Sequence, residues 1–253
     1  MKMVRVVVTL TTIPTREDSV IKTIESIQRG TVKPDVIYVN LPDWYPRFKC
    51  DPDPNLKTKL RDLGVTVNEC KDYGSLTKII PIIDIEKDPE TLIVVLDDDV
   101  TYQPQVVEGL IQGYMQFRTV VGYSGIAYPE TAIKHLGRNG YALFIGHGQC
   151  AEILECAFGV LFPRACLAGF PVPEPMTVDS DKCLYLTDDF IFSKFFDSKS
   201  VLKRVVCWPW VGRHGDDWST IWTQNEGSQV HSLSRDENNL NNYMSASLKL
   251  KFT

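Results

Sequence analysis

The chain has 253 residues, enough for one well-buried core, and its 43% hydrophobic and 23% charged residues are ordinary globular values. A net charge of −5 without any basic run argues against a nucleic-acid binder. No segment approaches the roughly 20 consecutive apolar residues that span a bilayer. The opening MKMVRVVVTLTTIP is broken by Arg5 and reads as a strand, not a signal peptide. The 7 cysteines are odd in number and contain no CxxC pair, which favours reduced thiols over a disulfide framework or a zinc site. There is no N-x-S/T sequon. A soluble, cytoplasmic protein is expected.

In chain order, residues 4–10 (VRVVVTL) read as a buried strand ended by TTIP. Residues 16–30 place Val20, Ile21, Ile24 and Ile27 on one helical stripe, with Gly30 as C-cap. DVIYVNL (35–41) is a second strand. A Pro- and Trp-bearing loop and a short helix near 55–63 lead to a third, GVTVNEC. Residues 75–85 predict a helix with Pro81 inside it or at its start, 91–96 (TLIVVL) a fourth strand, and 103–117 a helix. Alternating strands and helices imply a mostly parallel sheet covered by helices, with ligands beyond the carboxyl ends of the strands. Three polar loops converge on that edge: TTIPTR, CKDYGS and the acids after Leu96. From about 120 the pattern changes to VVGYSGIAY, YALFIG and FGVLFP, which read as a second lobe continuing the same sheet. A helix led by acids (186–199), a strand (201–208) and a polar, Trp-rich tail follow.

The run TLIVVLDDDVTYQP poses the chemical question, because Asp97, Asp98 and Asp99 stand together at the end of a buried strand. Adjacent carboxylates repel, so a positive group is expected beside them. Carboxylates two apart in an extended segment point the same way. Asp97 and Asp99 are therefore placed to converge on one hard divalent cation, Mg²⁺ or Mn²⁺, which would screen a diphosphate and stabilise it as a leaving group. The plainer alternative is a helix cap beside solvated acids. Asp188 and Asp189, at a predicted helix start, are subject to the same choice between capping and catalysis.

Taken with the other loops, the sequence resembles the GT-A class of nucleotide-sugar glycosyltransferases, over residues 4 to about 235. VTLTTIPTRED resembles the first strand and base-binding loop of that class. KDYGSLTKIIP is similar to the DYGxxTKxxP segment of one GT-A group, a more specific signal than the DxD-like LDDDV. CAFGVLFPR resembles the segment behind the acceptor site, and TDDFIFSKFF the helix start that carries the catalytic acid. The chain also resembles small stand-alone glycosyltransferases of large algal DNA viruses, which implies a host-cell cytoplasmic location.

The resemblance implies an α/β, GT-A (Rossmann-like) fold: a mixed, mostly parallel sheet flanked by helices, with a C-terminal acceptor-binding lobe. It implies one domain over 1–253, with 1–118 holding the nucleotide sugar and 119–253 the acceptor. Thr11, Pro14 and Arg16 would line the nucleotide, Asp72 would accept a hydrogen bond from a uracil base, and Lys78 would sit near the phosphates. Asp97 would reach the ribose or sugar and Asp99 the metal, with Asp98 open between those roles. Asp189, or its neighbour Asp188, would be the general base. His214 would be the third metal ligand, with His231 its rival. His135 and His147 could line the acceptor cleft, and Trp208, Trp210, Trp218 and Trp222 could stack on sugars. The implied partners are a UDP-sugar donor, Mn²⁺ or Mg²⁺, and a glycan or glycoprotein acceptor, without nucleic acid or a membrane span.

Two other functions fit parts of the pattern. LDDDVT matches the DxDx(T/V) nucleophile motif of haloacid-dehalogenase-type phosphatases, but three strands precede it where that motif normally follows the first. A non-catalytic sugar-binding protein would explain the aromatics but not the clustered acids.

Overall fold

The computed structural model describes residues 4–127, 143–144, 146–180, 185, 188–206 and 222–224; for 143–144 and 222–224 only the backbone path is described. A seven-stranded sheet forms the centre, in the order β11-β6-β10-β4-β1-β2-β3. Its members are β1 (Val6–Thr11), β2 (Val36–Pro42), β3 (Thr66–Cys70), β4 (Leu92–Val95), β6 (Val120–Gly122), β10 (Val160–Pro163) and β11 (Lys203–Val205). β1 pairs in parallel with both β2 and β4, and β2 with β3, while β10 runs antiparallel to β4 and to β6. β5 (Val100–Tyr102) pairs with β12 (Trp222–Gln224), and β7 (Gly125–Ala127) lies between β8 (Leu143–Phe144) and β9 (Ile153–Leu154).

Alternation along the central strands serves two cores. Val6, Val8, Leu10 and Val94 face one layer, packed with Ile24 and Ile27 of α1 (Glu17–Gln28), Leu56 and Leu60 of α2 (Pro54–Asp62) and Leu110 of α4 (Val106–Phe117). Val7, Ile93 and Val95 face the other, packed with Ile80 and Ile82 of α3 (Ile80–Ile85) and Phe192, Phe195 and Phe196 of α5 (Asp188–Ser198). A strand buried on both faces must be apolar at every position, which is why VVVTL and LIVV show no polar alternation.

The expected helices are present with trimmed ends. Residues 75–85 divide into a 3₁₀ turn (Leu76–Lys78) and α3, with Pro81 in the first turn of α3, where a missing N–H costs nothing. Residues 103–117 begin their helix only at Val106, because Val100–Tyr102 is drawn into a strand. The segment from 120 only partly continues the sheet: β6, β10 and β11 join it, whereas β7, β8 and β9 form a separate three-stranded sheet. The order places β2 on one side of β1 and β4 on the other. The crevice beyond the carboxyl ends of β1 and β4 is therefore the topological switch point, where α/β sheets of this kind bind ligands.

Candidate active site

The loop after β1 and the acids after β4 meet at that crevice. Thr12 Oγ1 donates to Asp98 Oδ2 at 2.7 Å, and Arg16 Nη1 donates to Asp98 Oδ1 at 2.9 Å. Arg16 Nη2 lies 3.2 Å from Asp99 Oδ2. The acidic turn is also gripped from below, because Thr23 Oγ1 of α1 is within hydrogen-bond distance of the Asp98 and Val100 carbonyls, at 2.9 and 2.8 Å. Pro14 starts the 3₁₀ turn that carries Arg16 inward. Thr11, by strand alternation, turns away and donates to the Asn40 carbonyl at 2.7 Å. Thr12, not Thr11, meets the acids.

Lys78 is the second cation. It is almost fully buried, and its Nζ pairs with Asp97 Oδ1 and lies 2.7 Å from Asp188 Oδ2. The contact with Asp188 is an ion pair whose angle falls short of a hydrogen bond, and Asp188 Oδ2 has no better-aligned donor. Burial works against the lysine's charge, but Asp188 and Asp97 outweigh it and hold its pKa well above the ordinary value. The Lys78 backbone is fixed from β1 and β2: its carbonyl accepts from Thr9 Oγ1 at 2.5 Å and from Asn40 Nδ2 at 3.3 Å.

Asp188 and Asp189 open α5, whose aromatic face sets their position. Phe192 stacks between Phe162 of β10 and Phe170, with ring centroids 6.1 and 5.1 Å away. The first turn of α5 is thereby pressed towards the crevice. Asp189 Oδ1 accepts the Cys156 backbone N–H at 2.7 Å. Asp189 keeps some exposure as a residue, but its carboxyl is enclosed. That burial, with Asp188 beside it, pushes its pKa well above the ordinary carboxylate range. Burial likewise lifts Asp98 to about 6, against the pull of Arg16.

Asp72 lies in the loop that follows β3. Its Oδ1 accepts from Gly74 N at 2.7 Å, and burial raises its pKa. Gly74 has a φ of +62°, and a Cβ there would sit 1.9 Å from the Tyr185 carbonyl oxygen. Glycine is therefore required where DYGS passes under the segment leading to α5.

The carboxylate donors suit a hard divalent cation. Asp97 Oδ2 accepts no hydrogen bond among the described residues, and Asp97 and Asp99 are oxygen ligands of the kind that bind Mg²⁺ or Mn²⁺ together with substrate phosphates. Among the described residues, one trio of possible ligand atoms lies within 4.8 Å of one another: Cys156, Asp188 and Asp189. The Cys156 thiol there is buried, and burial pushes its pKa well above the usual value.

His214 and His231 lie outside the described residues, as do His135, Trp208, Trp210 and Trp218 and the side chain of Trp222. His147 is exposed and meets Phe117 at the end of α4, ring centroids 5.5 Å apart. Sequence reasoning missed Tyr102, whose hydroxyl accepts from Asp97 N and donates to the Ala157 carbonyl, both at 2.9 Å. Tyr102 belongs to no motif; the turn geometry that brings it in had no signature in the sequence.

A scan against protein-family models finds no match, and a search of the curated proteins finds none. Solved structures do align. Glucosyl-3-phosphoglycerate synthase from Mycobacterium tuberculosis, in complex with Mn²⁺, UDP and glucosyl-3-phosphoglycerate, matches 98% of this chain and 80% of its own, with TM-score 0.56 and 11% identity. S. aureus TarS matches 87% of this chain and 36% of its own, with TM-score 0.53 and 12% identity. A further complex of the synthase, with Mn²⁺, UDP-glucose and glycerol 3-phosphate, aligns over 47% of this chain and 44% of its own, with TM-score 0.38. This chain therefore spans less than half the length of two of these three. The mixed seven-stranded sheet with helices on both faces is the GT-A, Rossmann-like fold. The viral likeness rests on the sequence motifs alone. No helix among the described residues is long and apolar enough to cross a membrane.

Proposed function

We propose that the chain is a metal-dependent glycosyltransferase that moves a sugar from a UDP-sugar to a hydroxyl of a glycan or glycoprotein acceptor. One observation carries this reading: at the β1/β4 crevice of a GT-A fold, Arg16 holds Asp98 and Asp99 while Lys78 bridges Asp97 of the acidic turn to Asp188 at the start of α5. The Mn²⁺ and UDP named for the aligned synthase complex support it.

Asp97 and Asp99 would hold Mn²⁺ or Mg²⁺, with His214 the expected third ligand. When bound, the metal screens the diphosphate and makes it a better leaving group. Arg16 holds Asp98 and Asp99 in place, and Asp98, with both oxygens engaged, acts as the strut of that arrangement. Asp72 receives the base, and Thr11 and Pro14 shape the loop that lines the nucleotide. Lys78 keeps Asp97 and Asp188 together, so the donor side and the acceptor side share one cation.

Asp189 is the general base. Its carboxylate is held at the start of a helix by the Cys156 N–H, a rigid setting that suits a base taking a proton from a hydroxyl. In direct displacement the acceptor oxygen bonds to the anomeric carbon, the carbon–oxygen bond to the diphosphate breaks, and the hydroxyl proton passes to Asp189. That step inverts the anomeric centre. The anomeric configuration of the product, read by NMR, tests it. An inverted product is expected, and a retained one would remove Asp189 as base.

A further inference from the structure

We infer that Arg47 is a binding residue for the donor's phosphates, an inference that rests on the nucleotide-sugar reading above. Arg47 sits in the loop that follows β2, and that loop is built rigidly. Tyr45 N donates to the Cys50 carbonyl at 2.9 Å, and Phe48 N and Lys49 N donate back to the Tyr45 carbonyl at 3.0 and 2.7 Å. Lys49 takes a left-handed conformation, φ 55°, to close the turn. Tyr45 is buried, and its hydroxyl donates to the Thr12 carbonyl at 3.1 Å. The loop is thus tied to the residue that grips Asp98. The root of the loop is tied to the far side of the site by Asp43 N, which donates to the Cys70 carbonyl at 2.9 Å.

Within this frame the Arg47 guanidinium lies over the Phe48 ring, 4.5 Å from its centroid. The residue is half-buried. Asp72, of opposite charge, and Arg16, of like charge, are both near enough to act on it electrostatically. It makes no hydrogen bond or ion pair with any side chain among the described residues, although Arg16 and Lys78 each engage two carboxylates. An arginine stays charged at any ordinary pH and presents five donors in a planar fork that matches phosphate oxygens. A half-buried guanidinium, lying over an aromatic ring, held on a hydrogen-bonded turn and lacking a carboxylate partner, is a preorganised receptor for an anion. The anion that the proposed reaction brings to this edge is a nucleoside diphosphate.

The test is isothermal titration of UDP and of uridine, at saturating Mn²⁺, into wild type, Arg47→Met and Arg47→Lys. We expect Arg47→Met to weaken UDP by on the order of 10- to 100-fold, the range for a lost charge-assisted contact. Uridine should change by no more than about two-fold, and Arg47→Lys should recover part of the UDP affinity because charge is kept. The UDP-to-uridine ratio separates this from partial unfolding, which lowers the active fraction for both ligands alike. An equal loss for both, or no loss for UDP, overturns the inference while leaving the functional reading standing. Failure of wild type to bind UDP overturns both.

Discussion

Lys78 is a buried ammonium that answers carboxylates from two different parts of the chain, Asp97 after β4 and Asp188 at the start of α5. Removing one member of such a cluster leaves the others buried and uncompensated, a cost of about 3–5 kcal/mol. Lys78→Met should therefore lower the unfolding free energy by that amount in chemical denaturation and abolish transfer. At Asp189 the expected effect is on chemistry. Asp189→Asn should keep UDP affinity within a few-fold and lower kcat by on the order of 10²- to 10⁴-fold. The pH profile gives a second readout. A base whose pKa is raised by burial and by Asp188 loses activity as pH falls through that raised value. The wild-type rate should fall on the acid side at a pH above the ordinary carboxylate range, and the residual rate of Asp189→Asn should lack that limb. The acids Asp97–Asp99 and Asp188–Asp189 stood out in the sequence as candidates because charge at the end of a buried strand or the start of a helix needs a reason. The groups that answer them were only half legible. Arg16 and Lys78 sit inside motifs, but their choice of partners depends on loops distant in sequence. Thr12 and Thr11 differ only in which face of the strand they end on.

At the scale of elements, two local devices fix how segments join the sheet, one at each end. Gly74 lets DYGS pass beneath the Tyr185 carbonyl, which accepts Ser75 N at 2.7 Å. Gly74→Ala should cost about 1–3 kcal/mol from the left-handed backbone alone, and the clash with Tyr185 should shift the start of α5. The predicted signature is lost activity exceeding lost stability, read by comparing kcat with the unfolding midpoint. At the opposite end of the sheet, Glu86 ties β1, β2 and α3 together. It accepts Arg5 Nη2 at 2.9 Å and the Tyr38 hydroxyl at 2.8 Å. Burial alone would raise the Glu86 pKa, but these bonds outweigh it and lower the value. A carboxylate with a lowered folded pKa adds stability that is full above its unfolded pKa and is lost as pH falls through the folded one. Glu86→Gln should cost about 1–2 kcal/mol at neutral pH, the lower part of the range because Arg5 is 41% exposed and screened. The gap to wild type should narrow in acid. Periodicity revealed most of these elements, since two-sided burial makes β1 and β4 apolar throughout and α5 is marked by its phenylalanines. The short strands were less legible. β5 and β7 have three residues each, and pairing with distant partners decides them, not local pattern.

Across the whole molecule, the order of strands decides where chemistry can occur. β4 returns to the far side of β1, so the loop after β1 and the acids after β4 share one crevice, and β10 runs backwards beside β4 to bring Cys156 and Ala157 over it. The βα alternation made this first half readable before any coordinates. The half after 120 was less so, because antiparallel pairing and a separate small sheet leave no periodic signal. The most direct test of the central claim is isothermal titration of UDP with and without Mn²⁺, on wild type and Asp99→Ala, with inorganic phosphate as the comparison ligand. We expect wild type to bind UDP only when Mn²⁺ is present, and Asp99→Ala to lose that binding. No UDP binding by wild type, with phosphate bound in its place, would contradict the transferase reading and favour a phosphatase.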